Sequence, residues 1–233
     1  MQKLLKVGFL SSHNYLDKNA FSGTPYYIYK SLSRLDSVKL INLGSPYHPH
    51  PIKKITQKLR RVKDNSLGLG SLNYSENFRK FKEVLDKQLK NVECDLILAP
   101  VGALEIYCLE TDNPIIYLSD KTFKLYQEYY QPDLELSEVK RMSQQESEAI
   151  KKSEILIYSS KWAADSAISD YGANPKKVNI IPFGANVDVV PSRQDVLQKN
   201  QQSTCQLLFV GKDWNRKGGE IAYQTLVSLI SLG

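Results

Sequence analysis

Lys212, Arg216 and Lys217 fall within a single short stretch, and Gly218 and Gly219 follow directly. Upstream stand Leu207, Leu208, Phe209 and Val210, an apolar run that reads as a short buried strand ended by Gly211. Downstream an apolar-periodic helix begins. A strand, a basic turn and a helix start are predicted here. Backbone N–H groups at a helix N-terminus point outward unpaired, so together with the cations they form a place for an anion, most simply a phosphate. Gly218 and Gly219, lacking a Cβ, would let the backbone come close to it. The spacing alone fits an ordinary strand-to-helix connection with solvated lysines equally well.

Two other places carry candidate chemistry. Phe21-Ser22-Gly23-Thr24-Pro25 closes the polar loop after the first strand, and Tyr26 to Leu35 then has helical spacing. Pro25 suits the first turn of that helix, with Thr24 or Ser22 as its cap. Asp120 follows the apolar run Pro114 to Ser119. Ligands of open α/β sheets gather beyond the carboxyl ends of the strands, which puts Asp120 where function is expected. A helix-capping role fits it as well. His48 and His50 share a proline-rich loop without a nearby carboxylate or cysteine and are read as loop residues, so no metal site is expected.

The elements that must position these residues follow from the apolar pattern. Strands are predicted over 4–12, 38–43, 95–100, 114–119, 154–160 and 207–210. Helices are predicted over 26–35, 76–90, 134–152 and 161–171, the last with Trp162 near its start and Gly172 as its C-cap. Alternating strands and helices predict a Rossmann-like parallel sheet with helices on both faces. Residues 187–205 hold Pro191, Ser192 and a run of Gln, Asn and Ser, a linker composition. The expected organisation is therefore a first domain over 1–186, a linker over 187–205, and the first strand and helix of a second α/β domain over 206–233.

The chain has 233 residues, 42% hydrophobic and 24% charged, a globular composition able to bury a core. Cys94, Cys108 and Cys205 are odd in number and widely spaced, which argues against a disulfide framework or a zinc site and for buried thiols. Met1 to Lys6 lead straight into a strand, and no run approaches a membrane span of about 18 apolar residues. A cytoplasmic location is expected. The formal charge of +6 is concentrated. Lys53, Lys54, Lys58, Arg60, Arg61 and Lys63 alternate with Ile52, Ile55, Leu59 and Val62 at helical steps. Residues 52–63 thus read as a basic amphipathic helix, either a solvated face packed on the core or a peripheral contact with the inner face of an anionic membrane. No aromatic-interleaved basic platform points to nucleic acid. The loop after the first strand lacks Gly-x-Gly-x-x-Gly, which argues against a nicotinamide or flavin enzyme.

Gly211-Lys212, a short loop and Arg216-Lys217-Gly218-Gly219 after an apolar strand resemble the donor-diphosphate loop of family 4 retaining glycosyltransferases with the GT-B fold. Three further phrases carry the same resemblance: Ser159-Ser160-Lys161-Trp162, Tyr171-Gly172, and Val178 to Asn186. So does Tyr117-Leu118-Ser119-Asp120 with Thr122-Phe123 and the pair Tyr129-Tyr130. The resemblance covers nearly the whole chain. It implies retaining transfer of a sugar from a nucleotide-diphosphate sugar to a carbohydrate or lipid-linked acceptor, with no cofactor beyond the donor substrate. Lys212 and Lys217 match the residues that hold the donor phosphates, with Arg216 and Gly218 beside them. Lys212 stands where arginine is commoner, a point charge in place of a fork. Gly23 matches the glycine facing the phosphates from the first domain, and Ser22 and Thr24 flank it on the acceptor side. Asp120 stands where many members carry a histidine at the reacting centre. Phe183-Gly184-Ala185-Asn186 departs from the usual Asn-Gly-Val-Asp. Glu138 and Glu146 repeat the family's Glu-x7-Glu spacing, but that motif belongs to the C-terminal domain, so the match is read as chance. A second domain of one strand and one helix cannot cover a sheet. The chain is therefore expected to be a truncated transferase with little activity by itself. A non-catalytic acceptor-binding module and a sugar-nucleotide epimerase of the same fold remain the alternatives.

Overall fold

A computed structural model describes residues 4–11, 14–43, 74–90, 92–197, 206–211 and 213–232. The chain divides into two compact units, Met1–Asn186 and Val187–Gly233. The first unit is built on a six-stranded, all-parallel sheet: β1 (Leu5–Phe9), β2 (Val38–Asn42), β3 (Leu96–Pro100), β4 (Ile115–Ser119), β5 (Ile155–Tyr158) and β6 (Val178–Ile180). The strands lie in the order β2-β1-β3-β4-β5-β6, a Rossmann-like arrangement whose single reversal of winding falls between β1 and β3.

The strand sequences explain that order. β3 (Leu-Ile-Leu-Ala-Pro) and β5 (Ile-Leu-Ile-Tyr) are nearly continuous apolar runs, as required of strands covered on both faces. Successive residues go to opposite layers: Ile97 and Ala99 of β3 and Ile115 and Tyr117 of β4 join one core cluster, whereas Leu96, Leu98, Ile116 and Leu118 face the other. The outer strands β2 and β6 carry Lys39 and Asn179, polar residues that suit an edge.

Helices α1 (Thr24–Leu32), α2 (Tyr74–Lys90), α3 (Ala103–Cys108), α4 (Phe123–Tyr130), α5 (Leu136–Lys152) and α6 (Lys161–Tyr171) connect the strands. α1 packs on one layer through Ile28, Tyr29 and Leu32. α5 and α6 pack on the other through Ala149, Ile150, Ala163, Ala164 and Ala167. The start of α6 follows from Ser160, whose Oγ accepts from the Ala163 amide at 3.3 Å, and its end from Gly172 in the left-handed conformation. In the second unit, α7 (Arg193–Leu197) and α8 (Gly219–Leu232) are the described helices. None of the described helices is long and apolar enough to cross a membrane.

One expected element is not formed. Residues 206–211 carry no strand, because an isolated extended segment has no ladder to join and none is provided for it among the described residues. Leu208 is 88% exposed and Val210 82%. Residues 52–63, His48, His50, Cys205 and Lys212 lie outside the described residues. Cys108 is buried and its thiol is pushed up to about 12 by that burial, while Cys94 is only half-buried.

Candidate functional site

The carboxyl rim of the sheet carries the first unit's candidate residues. Between β1 and α1, Phe21, Ser22 and Gly23 are successively left-handed, with φ of 47°, 55° and 82°. Glycine takes that conformation without strain, whereas phenylalanine and serine do so at a cost. A Cβ on Gly23 would also stand 3.0 Å from the Lys18 carbonyl oxygen. Gly23 is the N-cap residue of α1 and offers no side chain, so neither Ser22 nor Thr24 caps the helix as expected. Thr24 already lies in the first turn. Instead, the Asn186 amide donates to the Ser22 carbonyl at 2.9 Å and to Thr24 Oγ1 at 3.3 Å, tying the end of the unit back to this loop.

A second strained position lies on the same rim. Val101, directly after β3, has φ of 54°, unusual for a β-branched residue. The two strained loops thus follow β1 and β3, the strands on either side of the winding reversal. That is where open α/β sheets gather their ligands.

Asp120 sits at the end of β4 as expected, and its nearest partner is its own neighbour. Lys121 Nζ lies 3.0 Å from both Asp120 oxygens. The same ammonium stands 5.3 Å from the Phe21 ring centroid, 5.8 Å from Tyr126 and 5.5 Å from Tyr130. A cation held on aromatic faces with its counter-ion joins the β1 loop to α4. Asp120 does not cap α4; Thr122 does, its Oγ1 accepting from the Leu125 amide at 3.4 Å. Lys121 was not singled out from the sequence. Tyr126 and Tyr130, one helical turn apart, were the available signal for an aromatic face.

Behind β4 lies a buried carboxyl. Glu146 on α5 receives the Tyr117 hydroxyl at 3.1 Å, and Tyr158 packs edge-on against Tyr117. Burial pushes Glu146 up to about 8, against the opposing pull of the Tyr117 hydroxyl and the Lys121 charge. Glu138 instead faces Arg141 at 3.7 Å, so the two glutamates of the Glu-x7-Glu spacing serve separate local roles.

In the second unit, residues 213–219 form a compact turn. The Arg216 amide donates to Asp213 Oδ1 at 3.1 Å and its Nε lies 3.3 Å from Asp213 Oδ2. The Lys217, Gly218 and Gly219 amides donate to Asp213, Asn215 and Trp214 carbonyls at 3.0, 3.2 and 2.8 Å. These four amides are therefore engaged within the turn, while Lys217 keeps an exposed side chain beside the first turn of α8, which also carries Glu220. The glycines have their own reasons. Gly218 is left-handed at φ 73°. Gly219 lies under the Trp214 ring, where a Cβ would collide with the ring carbons. Trp214 also meets Phe209 edge-on at 5.4 Å, and these rings with Tyr223 and Leu226 line an apolar cavity of about 350 Å³.

No protein-family model matches the chain, and no curated protein matches it.

Proposed function

We propose that this chain is a glycosyltransferase-type protein of the GT-B kind, acting on a nucleotide-diphosphate sugar and an acceptor. In this reading the first unit serves the acceptor and the second grips the donor diphosphate. The observation that carries it is the turn ending in Lys217-Gly218-Gly219 at the N-terminus of a 14-residue helix. A helix of that length presents a positive end to an anion, and the Lys217 ammonium adds a full charge beside it. Charge growing on a leaving diphosphate would be stabilised by both. The strained loops after β1 and β3, and the paired Asp120 and Lys121, support a ligand site on the first unit. A lipid-linked acceptor would further suit the basic sequence 52–63 meeting a membrane surface.

Calorimetric titration with uridine and guanosine diphosphates and their hexose conjugates tests the donor half. Binding by at least one, weakened about tenfold by Lys217→Ala, is expected from the loss of one aimed charge. No binding by any of them, or binding indifferent to Lys217→Ala, would remove the basis of this assignment. Asp120→Asn, on the acceptor side of the reading, should leave nucleotide affinity unchanged.

A further inference from the structure

Asp213 does two things in the turn before α8, and each uses a different oxygen. Oδ1 accepts the Arg216 amide at 3.1 Å, the bond by which a capping residue closes the turn three positions ahead. Oδ2 takes the Arg216 side chain, whose Nε donates to it at 3.3 Å. The guanidinium is thereby drawn back onto the turn, with 32% of the Arg216 side chain exposed against 50% of the Asp213 one.

Charge makes that second contact matter. Residues 213–220 carry Asp213 and Glu220 against Arg216 and Lys217, so the stretch has no positive excess. Glu220 is engaged by Gln224, whose Nε2 donates to its Oε1 at 2.8 Å. An anion arriving beside Lys217 therefore meets a second cation already committed to a carboxylate.

The commitment is a weak one. A contact of 3.3 Å is longer than the usual N–H···O bond, and ion pairs this exposed contribute little. A phosphate can instead accept two parallel N–H bonds from the guanidinium fork, the stronger arrangement. The turn need not open for the exchange, because the Lys217, Gly218 and Gly219 amides are held by backbone carbonyls.

We infer that Asp213 is a positioning residue acting through Arg216: it holds the guanidinium on the turn and yields it to a diphosphate, an internal competitor that sets how tightly the loop binds. This regulation rests on the donor reading above. Asp213→Asn separates the two jobs. Its amide oxygen still caps the turn, since asparagine caps as well as aspartate, but the charge is gone. Calorimetric titration of the whole chain with sodium pyrophosphate and with uridine diphosphate should show binding about two- to fivefold tighter in Asp213→Asn, the range over which an exposed ion pair acts. Arg216→Gln should cost little affinity in the otherwise unaltered chain and at least about twofold more in the Asp213→Asn one, where the guanidinium is released beforehand. A damaged turn would weaken binding, and a mere loss of negative charge would act equally in both backgrounds. The temperature dependence of the Arg216 amide shift, kept in Asp213→Asn, checks that the turn survives. Asp213→Ser, a second uncharged capping residue, repeats the measurement should asparagine disturb the turn.

Two results would overturn this inference and leave the donor reading standing: Lys217-dependent binding that Asp213→Asn leaves unchanged or weakens, and an equal cost of Arg216→Gln in both backgrounds. Binding of neither anion by the unaltered chain or by Asp213→Asn would remove the donor reading and this inference with it.

Discussion

The two units of this chain treat apolar surface in opposite ways. In Met1–Asn186, Phe9, Leu10, Ile97, Ile106 and Tyr158 are fully enclosed. In Val187–Gly233, α8 exposes Ile221 at 74%, Ile230 at 72% and Leu232 at 83%. The first unit is held by contacts distant in sequence, parallel strands covered on both faces. The second is held locally, by the Asp213 turn and the packing of Trp214 on Gly219 and Phe209. A helix apolar around most of its circumference is made to be buried. The difference separates stability from site: the rim of the first unit rests on a rigid core, whereas the Lys217 loop rests on its own hydrogen bonds.

That contrast can be broken by mutation. The largest effect should come from Phe9→Ala, which empties a buried ring from the first unit and should cost about 3–5 kcal/mol in denaturant unfolding. Leu229→Ala on α8, where the side chain is 46% exposed, should shift stability by less than about 0.5 kcal/mol. Equal costs for the two would show that the second unit has a core of its own.

The next effect is a pH dependence confined to the first unit. Glu146 is raised from its ordinary 4.5 to about 8 in the folded state, so across that interval the native protein holds a proton that the unfolded chain has released. Its contribution is complete below about 4.5 and falls as pH rises through 8, with a slope of roughly 1.4 kcal/mol per pH unit at most. Glu146→Gln, which keeps the neutral shape, should flatten the pH profile of unfolding over that window. An unaltered profile would mean that the carboxyl reaches solvent. A smaller effect is expected at the rim. Val101→Gly relieves a left-handed valine and should be neutral or stabilising by up to about 1 kcal/mol, where valine-to-glycine changes ordinarily destabilise. A loss above that would mean the valine side chain contributes more packing than its backbone costs.

The parallel sheet was legible because apolar runs such as Leu-Ile-Leu-Ala-Pro and Ile-Leu-Ile-Tyr alternate with helical spacing, and the end of α6 was legible in Gly172, whereas its N-cap Ser160 reads in the sequence as the last residue of the strand before it. The cap of α1 was misread: Ser22 and Thr24 are good capping residues by type, but the left-handed path through Phe21, Ser22 and Gly23 moves the cap to the glycine. The strand at 207–210 was misread because an apolar run specifies burial, and pairing needs a neighbour that composition cannot supply. Lys121 escaped notice because its partners come from Asp120, the β1 loop and α4, a meeting set by the strand order. The buried role of Glu146 was hidden in a polar helix for the same reason.

If the turn around Lys217 grips a diphosphate, a nucleotide must land there. Backbone amide shifts should be followed while uridine diphosphate is added to the isotope-labelled chain. Saturable shifts concentrated on Asp213 to Ala222 and lost in Lys217→Ala are expected. Saturable shifts that leave those amides unmoved would contradict it.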